Sequence, residues 1–213
     1  MRFGPGFSER HVLSDGTCVT IRPVEPGDGG EILRQFHRMS PDSRYRRFFS
    51  GITELSPELL RYLTVVDGVD HFAVVALVDS LDLKDDMGVG VARFVRLPGE
   101  KEVAEAAVTV VDDYQGRGLG RHLLMTLVLA AQERGVRKFR GEVLASNEPM
   151  RKLLEENGVV GTPAADGTIA FDVPIDTGEH QSTLRKLLHD TAASLIVWLG
   201  RLYPRPRADS GRT

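Results

Sequence analysis

The run Val108-Thr-Val-Val111 is β-branched and apolar, and it breaks into Asp-Asp-Tyr-Gln115-Gly116-Arg117-Gly118-Leu119-Gly120 before a helical pattern starts at Arg121-His-Leu-Leu. A strand that turns through glycines straight into a helix is a β-turn-α unit, and it is a phosphate cradle. Glycines at 116, 118 and 120 lack the Cβ atoms that would block positive φ and the close approach of a ligand, so successive backbone N–H groups can converge on one anion. The helix adds its unpaired first-turn donors and the positive end of its dipole. A diphosphate is the expected guest.

Two other phosphate motifs fit this stretch less well. A P-loop requires Gly-Lys-Ser or Gly-Lys-Thr at the helix start, where this chain has Leu119-Gly120-Arg121. A dinucleotide fingerprint requires G-x-G-x-x-G, and Arg121 and Leu123 stand where its third glycine would fall. It also requires an acidic residue at the end of the next strand, whereas the apolar run from Arg137 to Leu144 leads into Ala145-Ser146-Asn147.

The spacing Gln115-x-x-Gly118-x-Gly120 after a strand resembles the pyrophosphate-binding signature of the GNAT superfamily of N-acetyltransferases. Further matches follow in order: Asn147 at the end of the next strand, then the helix Pro149-Met-Arg-Lys-Leu-Leu-Glu-Glu-Asn157, closed by Gly158. The segments Leu13-Ser-Asp-Gly16-Thr-Cys-Val-Thr-Ile-Arg22-Pro23 and Ser40-Pro-Asp-Ser43-Arg44-Tyr45-Arg-Arg-Phe48-Phe49 are similar to the catalytic domain of bacterial Pat-type protein-lysine acetyltransferases. The resemblance implies a mixed, mostly antiparallel α/β sheet flanked by helices, with two strands splayed around acetyl-CoA. It implies that the pantetheine arm pairs with the backbone around Val108 and Val110, and that the diphosphate rests on amides from Gln115 and Gly116 through Arg117, Gly118 and Gly120. Arg117 and Arg121 would reach phosphate oxygens or else face solvent, and Asn147 would hold the arm from its other side.

Transfer to an amine needs a base, because an ammonium group cannot attack a thioester until it loses a proton. Glu105 precedes Gln115 by ten residues, where Pat-type enzymes carry their catalytic glutamate. Strand alternation puts Glu105, Ala107 and Thr109 on one face, and partial burial would raise the carboxyl pKa toward proton acceptance. The competing reading is a surface glutamate in an acidic hairpin beside Glu100 and Glu102. The tyrosine that many superfamily members use to protonate CoA is replaced by Leu154. Ser146 and Tyr114 are polar candidates for that role, and a thiolate with a pKa of about 8.5 can also leave unaided, so the general acid stays unassigned.

Composition narrows the partners. The formal net charge of −3 gives no long-range attraction to nucleic acid. One cysteine rules out an internal disulfide and suits a reducing cytoplasm, and Met1-Arg-Phe-Gly-Pro-Gly-Phe-Ser8 has no apolar core of a secretion signal. Cys18 reads as a small packing residue. The six histidines show no paired-ligand spacing, so no metal is expected. Arg44, Arg46 and Arg47 around Tyr45 suit either an acidic substrate surface or solvated arginines lying over aromatic rings, and the second is preferred.

The pattern predicts strands over 18–22, 71–78, 89–96, 103–111, 137–144 and 168–173. Helices are predicted over 29–39, after Pro41, from Ser56-Pro57, over 118–134 and over 149–157. Residues 11–175 form the expected acetyltransferase domain. Residues 176–213 form an amphipathic helix, with Leu187, Leu188, Leu195, Trp198, Leu199 and Leu202 on one stripe, and a basic tail. That helix is too short in its uncharged part to span a bilayer; packing on its own domain or pairing in a homodimer is favoured over lying on a membrane surface. With 213 residues there is no room for a cyclic-nucleotide or synthetase-like domain, so regulation through one is not expected. The expected function is acetyl-CoA-dependent N-acetylation of a protein lysine. The alternatives are a small amine acceptor (a polyamine, aminoglycoside or amino acid) and a non-catalytic acyl-CoA sensor.

Overall fold

The computed structural model describes residues 1–48, 52–78, 87–146, 148, 151–152, 155, 159–164 and 167–175. Eight strands make one sheet: β1 (Glu9–Val12), β2 (Cys18–Pro23), β3 (His71–Val78), β4 (Met87–Leu97), β5 (Glu100–Val110), β6 (Lys138–Leu144), β7 (Gly161–Pro163) and β8 (Thr168–Pro174). Their order is β1-β2-β3-β4-β5-β6-β8-β7, and β5–β6 is the one parallel pair in it. Among the described residues, four α-helices are complete: α1 (Gly29–Arg38), α2 (Pro41–Phe48), α3 (Pro57–Thr64) and α4 (Leu119–Glu133). The sheet is the expected mixed, mostly antiparallel one, open at both edges.

Alternation sorts the strand residues onto two packed faces. Phe72, Val74, Phe94, Ala106, Val108 and Val110 join Leu119, Leu123 and Leu127 of α4 on one side. Ala73, Val75, Leu77 and Val91 meet Ile32 and Phe36 of α1 and Leu59 and Leu63 of α3 on the other. Because both faces are covered, β3 is apolar along its length, which is why it reads as a continuous hydrophobic run rather than an alternating one.

The local signals set the boundaries. Ser56 caps α3, its hydroxyl accepting from the Leu59 amide at 3.1 Å, and Pro57 takes the first helical position. The Leu97-to-Glu100 turn of the β4–β5 hairpin uses Gly99 at φ 82°. Gly135, at φ 76°, follows α4 and lets the chain double back into β6.

Three features depart from the sequence reading. Cys18 is exposed, because β2 turns Val19 and Ile21 inward and the residues between them outward; it does not pack in the core. The short edge strands β1 and β7 were not foreseen, since four and three residues, one of them Pro163, carry too little periodicity. Of the helix expected over 149–157, Arg151, Lys152 and Glu155 are helical and the rest lie outside the described residues. So does the whole C-terminal segment 176–213.

Where α4 crosses the sheet it rests on a glycine. A Cβ built on Gly90 would stand 2.8 Å from Leu123 and 3.2 Å from the Thr109 carbonyl. Gly90→Ala should lower stability by about 1–3 kcal/mol through overpacking, read as a reduced urea midpoint with an unchanged m-value.

Candidate active site

Strands β5 and β6 run together for three rungs, Val103 with Lys138, Ala104 with Phe139 and Glu105 with Arg140. Beyond that they part. β5 continues along β4 as far as Val110 opposite Gly90, while β6 follows β8 to Leu144 opposite Thr168. A V-shaped gap results, with Glu105 on its last closed rung. The wall from Ala106 to Val110 keeps its side chains buried and turns its backbone groups to the gap, a free strand edge that can pair with an extended amide-bearing chain.

Two ion pairs and a glycine fix the point of parting. Arg140 forks between Asp172 of β8, at 2.7 and 3.0 Å, and Glu100 of β5, at 2.8 Å. Its guanidinium is held above its ordinary pKa by the hydrogen bonds it donates to these carboxylates. At the next residue, Gly141, a Cβ would lie 2.6 Å from the Phe171 ring, so β6 can hug β8 there only as glycine.

The free edge runs directly into the glycine turn. Gly116 and Gly118 take φ of 71° and 85°, and Gly118 is the residue from which α4 starts. Gly120 does not share that conformation; it is helical, so its lack of a side chain serves close approach alone. Gln115 turns back on the strand and its amide donates to the Val110 carbonyl at 3.1 Å. Arg117 is ion-paired with Asp15 at 2.5 Å and lies over the Tyr114 ring. Arg121 is exposed on the first turn of α4. Val108 and Val110 lie on the stretch of β5 beyond its last β6 rung. Asn147 and Leu154 lie outside the described residues, Ser146 is an exposed turn residue, and Tyr114 is half-buried against Arg117 and Arg38.

On the α1/α3 face, two groups missed in the sequence, Arg93 and His71, lie on the strands beside Glu105. Arg93 faces Ala107 across the β4–β5 ladder while Glu105 faces Val95, so Arg93 and Glu105 are diagonal neighbours about 7–8 Å apart at the backbone. Arg93 donates to the Leu63 carbonyl at 2.9 Å and approaches His71 Nε2 at 3.1 Å. A guanidinium only donates, so His71 Nε2 accepts and the ring is neutral. Burial, then the Arg93 charge, push the His71 pKa down to about 4. A cavity of about 40 Å³ sits above this rung, lined by Gln35, Phe36, Met39, Leu55, Arg93 and Thr109 among others.

Asp112, at the mouth of the glycine turn, ties the two sides together. Its carboxylate accepts from the Ser40 amide at 2.9 Å and from the Ser40 and Ser43 hydroxyls at 3.0 and 2.8 Å, so the α1–α2 junction is clamped to the loop. Burial alone would raise its pKa, but these donors outweigh burial and hold it below its ordinary value. A lone acidic residue beside Asp113 carries no sequence signal for partners some seventy positions away.

An extended amide slot that ends in an anion cradle on one side and a carboxylate on the other is the architecture of an acyl-CoA-dependent transferase. The sequence model of the acetyltransferase (GNAT) family matches residues 43–159. Acetyltransferase Pat of Mycolicibacterium smegmatis is 36% identical over 184 residues, 85% of this chain and 54% of that protein, so the chain spans about half the length of this relative. A curated acetyltransferase of Pseudomonas aeruginosa is 40% identical over 151 residues, 70% of this chain and 78% of its own. The crystal structure of the GNAT domain of S. lividans PAT superposes with a TM-score of 0.67 at 26% identity, covering 81% of this chain and 99% of that domain. The chain belongs to the GNAT acetyltransferase family, and acetyl-CoA is the cosubstrate that membership carries. Among the described residues no helix is long and apolar enough to cross a membrane.

Acid should attack this site in two stages. The folded pKa of His71 lies below its unfolded value of 6.5, so the stability it contributes is complete above that pH and erodes, by at most about 3 kcal/mol, as pH falls toward 4. Asp112, also depressed, contributes above its unfolded value of 3.8 and is lost as pH falls through its lower folded value. Urea unfolding across this range should show both slopes, and His71→Asn should flatten the first. At neutral pH, Asp112→Ala should cost about 1–3 kcal/mol by orphaning the buried Ser43 hydroxyl.

Proposed function

We propose that the protein transfers the acetyl group of acetyl-CoA to a primary amine, a protein lysine in the first place, with Glu105 as the general base. The single observation that carries this reading is the position of Glu105 on the last rung before β5 and β6 separate, where the free edge of β5 brings an acyl donor up to it. Val108 and Val110 take the pantetheine amides on the β5 edge. The diphosphate lies on the backbone from Gln115 and Gly116 through Gly118 and Gly120, at the N-terminus of α4, and Asn147 is the residue that the family resemblance assigns to the other side of the arm. Arg121 adds charge from the first helical turn. Arg117 contributes to phosphate binding only by exchanging its partner Asp15.

Glu105 is half-buried. It takes one proton of the ammonium directly or through a water, the freed nitrogen attacks the thioester carbonyl, and as the C–S bond breaks the second nitrogen proton passes to the departing CoA sulfur or to solvent. Residues 11–175 form the catalytic unit in this proposal. The resemblance to Pat-type enzymes supports a lysine of a protein over a small amine, and a reducing cytoplasm is the compartment that the lone exposed Cys18 suits.

Glu105→Gln should lower kcat by about 10²–10⁴ while leaving acetyl-CoA affinity within a few-fold of wild type. An unchanged rate would remove Glu105 from the chemistry. Gly118→Asp, which forces a side chain and a negative charge into a φ of 85°, should abolish CoA binding by calorimetry; retained affinity would show that the diphosphate lies elsewhere. Label from acetyl-CoA that appears on lysate proteins identifies a protein acceptor, and label confined to small molecules identifies a metabolite acceptor.

A further inference from the structure

Three residues on three adjacent strands share one row of the sheet. Glu105 of β5 pairs with Arg140 of β6, and Arg140 pairs with Asp172 of β8. Their chain neighbours Ala104, Ala106, Phe139 and Val173 belong to the apolar core under α4, so alternation puts all three on the opposite face. Adjacent strands lie about 4.7–4.9 Å apart, and an arginine one strand away from Glu105 is long enough to reach its carboxylate.

The guanidinium is directed elsewhere. Arg140 Nε and Nη2 donate to the two oxygens of Asp172 at 2.7 and 3.0 Å, and Nη1 and Nη2 donate to those of Glu100 at 2.8 and 3.3 Å. All three guanidinium nitrogens are committed to two carboxylates, where one would neutralise the charge. Asp172 lies on the β8 side and Glu100 at the hairpin end of β5, so both draw the cation away from the gap. Asp172 stays ionised, its carboxyl held below the ordinary value chiefly by the hydrogen bonds from Arg140.

Proton chemistry gives this arrangement a use. A guanidinium seated on Glu105 would stabilise the carboxylate and make it a weaker acceptor for a proton of an ammonium group. We infer that Asp172 and Glu100 are positioning residues that hold the Arg140 charge off Glu105, so that its carboxylate keeps its basicity. The inference rests on the reading of Glu105 as the base and refines it. Among the described residues, the other charged or titratable groups on this face of the neighbouring strands are Lys138 and Glu142 on β6, Arg93 on β4 and His71 on β3, with Tyr62 of α3 beside His71. They are the same in every variant below, so a change at Glu105 reports on Arg140.

The Glu105 titration is read directly by carbon-13 carboxyl NMR of the glutamate-labelled full chain, with Glu105→Gln identifying the resonance. Asp172→Asn frees one edge of the Arg140 guanidinium and Glu100→Gln frees the other. Each should lower the Glu105 pKa, Asp172→Asn by about one unit. Glu100 is the more exposed partner, so its variant tests the tether even where Asp172→Asn does not fold. Adding Arg140→Gln to Asp172→Asn removes the cation. One arginine and two carboxylates carry −1 in wild type, and Glu100 alone carries −1 in the double variant, so the Glu105 pKa should return close to its wild-type value. A loosened β6–β8 pairing would lower the melting temperature of single and double variants alike and would not produce this reversal.

A Glu105 pKa unmoved in the folded single variants, or one that falls equally when Arg140 is also replaced, would overturn the tether. Kinetics test the reading of Glu105 separately. With Nα-acetyl-L-lysine amide as acceptor, the acid limb of the kcat/KM profile should move with the carboxyl titration, and the plateau of Asp172→Asn should drop several-fold. A titration that shifts and reverses as expected, with no matching movement of the limb, keeps the tether and removes Glu105 as the base.

Discussion

The separation of β5 from β6 after the Glu105–Arg140 rung is the constraint on which the rest of the molecule depends. A parallel pair that closed fully would satisfy its backbone groups internally and leave nowhere for an acyl donor. Here Arg140 pins the last rung through Asp172 and Glu100, and Gly141 lets β6 turn away against Phe171. The cost of a free edge inside a domain is accepted because a substrate amide chain can complete the ladder. Family membership, and the acetyl-CoA cosubstrate it carries, rest on the acetyltransferase (GNAT) match over residues 43–159.

Around the gap, the two faces of the sheet have different tasks. The α4 face is mostly apolar, with Leu119 and Leu123 anchoring the helix that follows the glycine turn. The α1/α3 face is mixed: a buried arginine, a neutral histidine and an unmet amide share space with aliphatic side chains. Polar groups in an interior are costly unless they meet partners. Asp112 joins the faces, since its carboxylate holds the α1–α2 junction while its backbone belongs to the cofactor loop. The α1–α2 junction and the glycine turn are therefore tied through one side chain.

Much of this was legible in the chain because the signals were local. Glycines flanked by a β-branched run and an apolar helix pattern announced the turn from β5 into α4, and Ser56-Pro57 announced α3. Local signals also misled in places. Cys18 read as a packing residue because nothing near it says which face of β2 is inward. Gly120 read like its neighbours at 116 and 118, although it is one residue inside the helix, where φ is negative. Arg117 offered two readings, and its pairing with Asp15 depends on a loop a hundred positions away.

By itself the sequence determined the order of the elements, the glycine turn and the glutamate ten residues upstream of Gln115, because hydrophobic periodicity, caps and positive-φ requirements are properties of neighbouring residues. Only the tertiary structure decided where β5 and β6 part, which carboxylate stands at that vertex, and that Arg93, Gln35 and Thr109 surround one cavity beside it. Those facts rest on contacts between residues far apart in the chain. Strand register and helix docking set such contacts, and no local pattern encodes them.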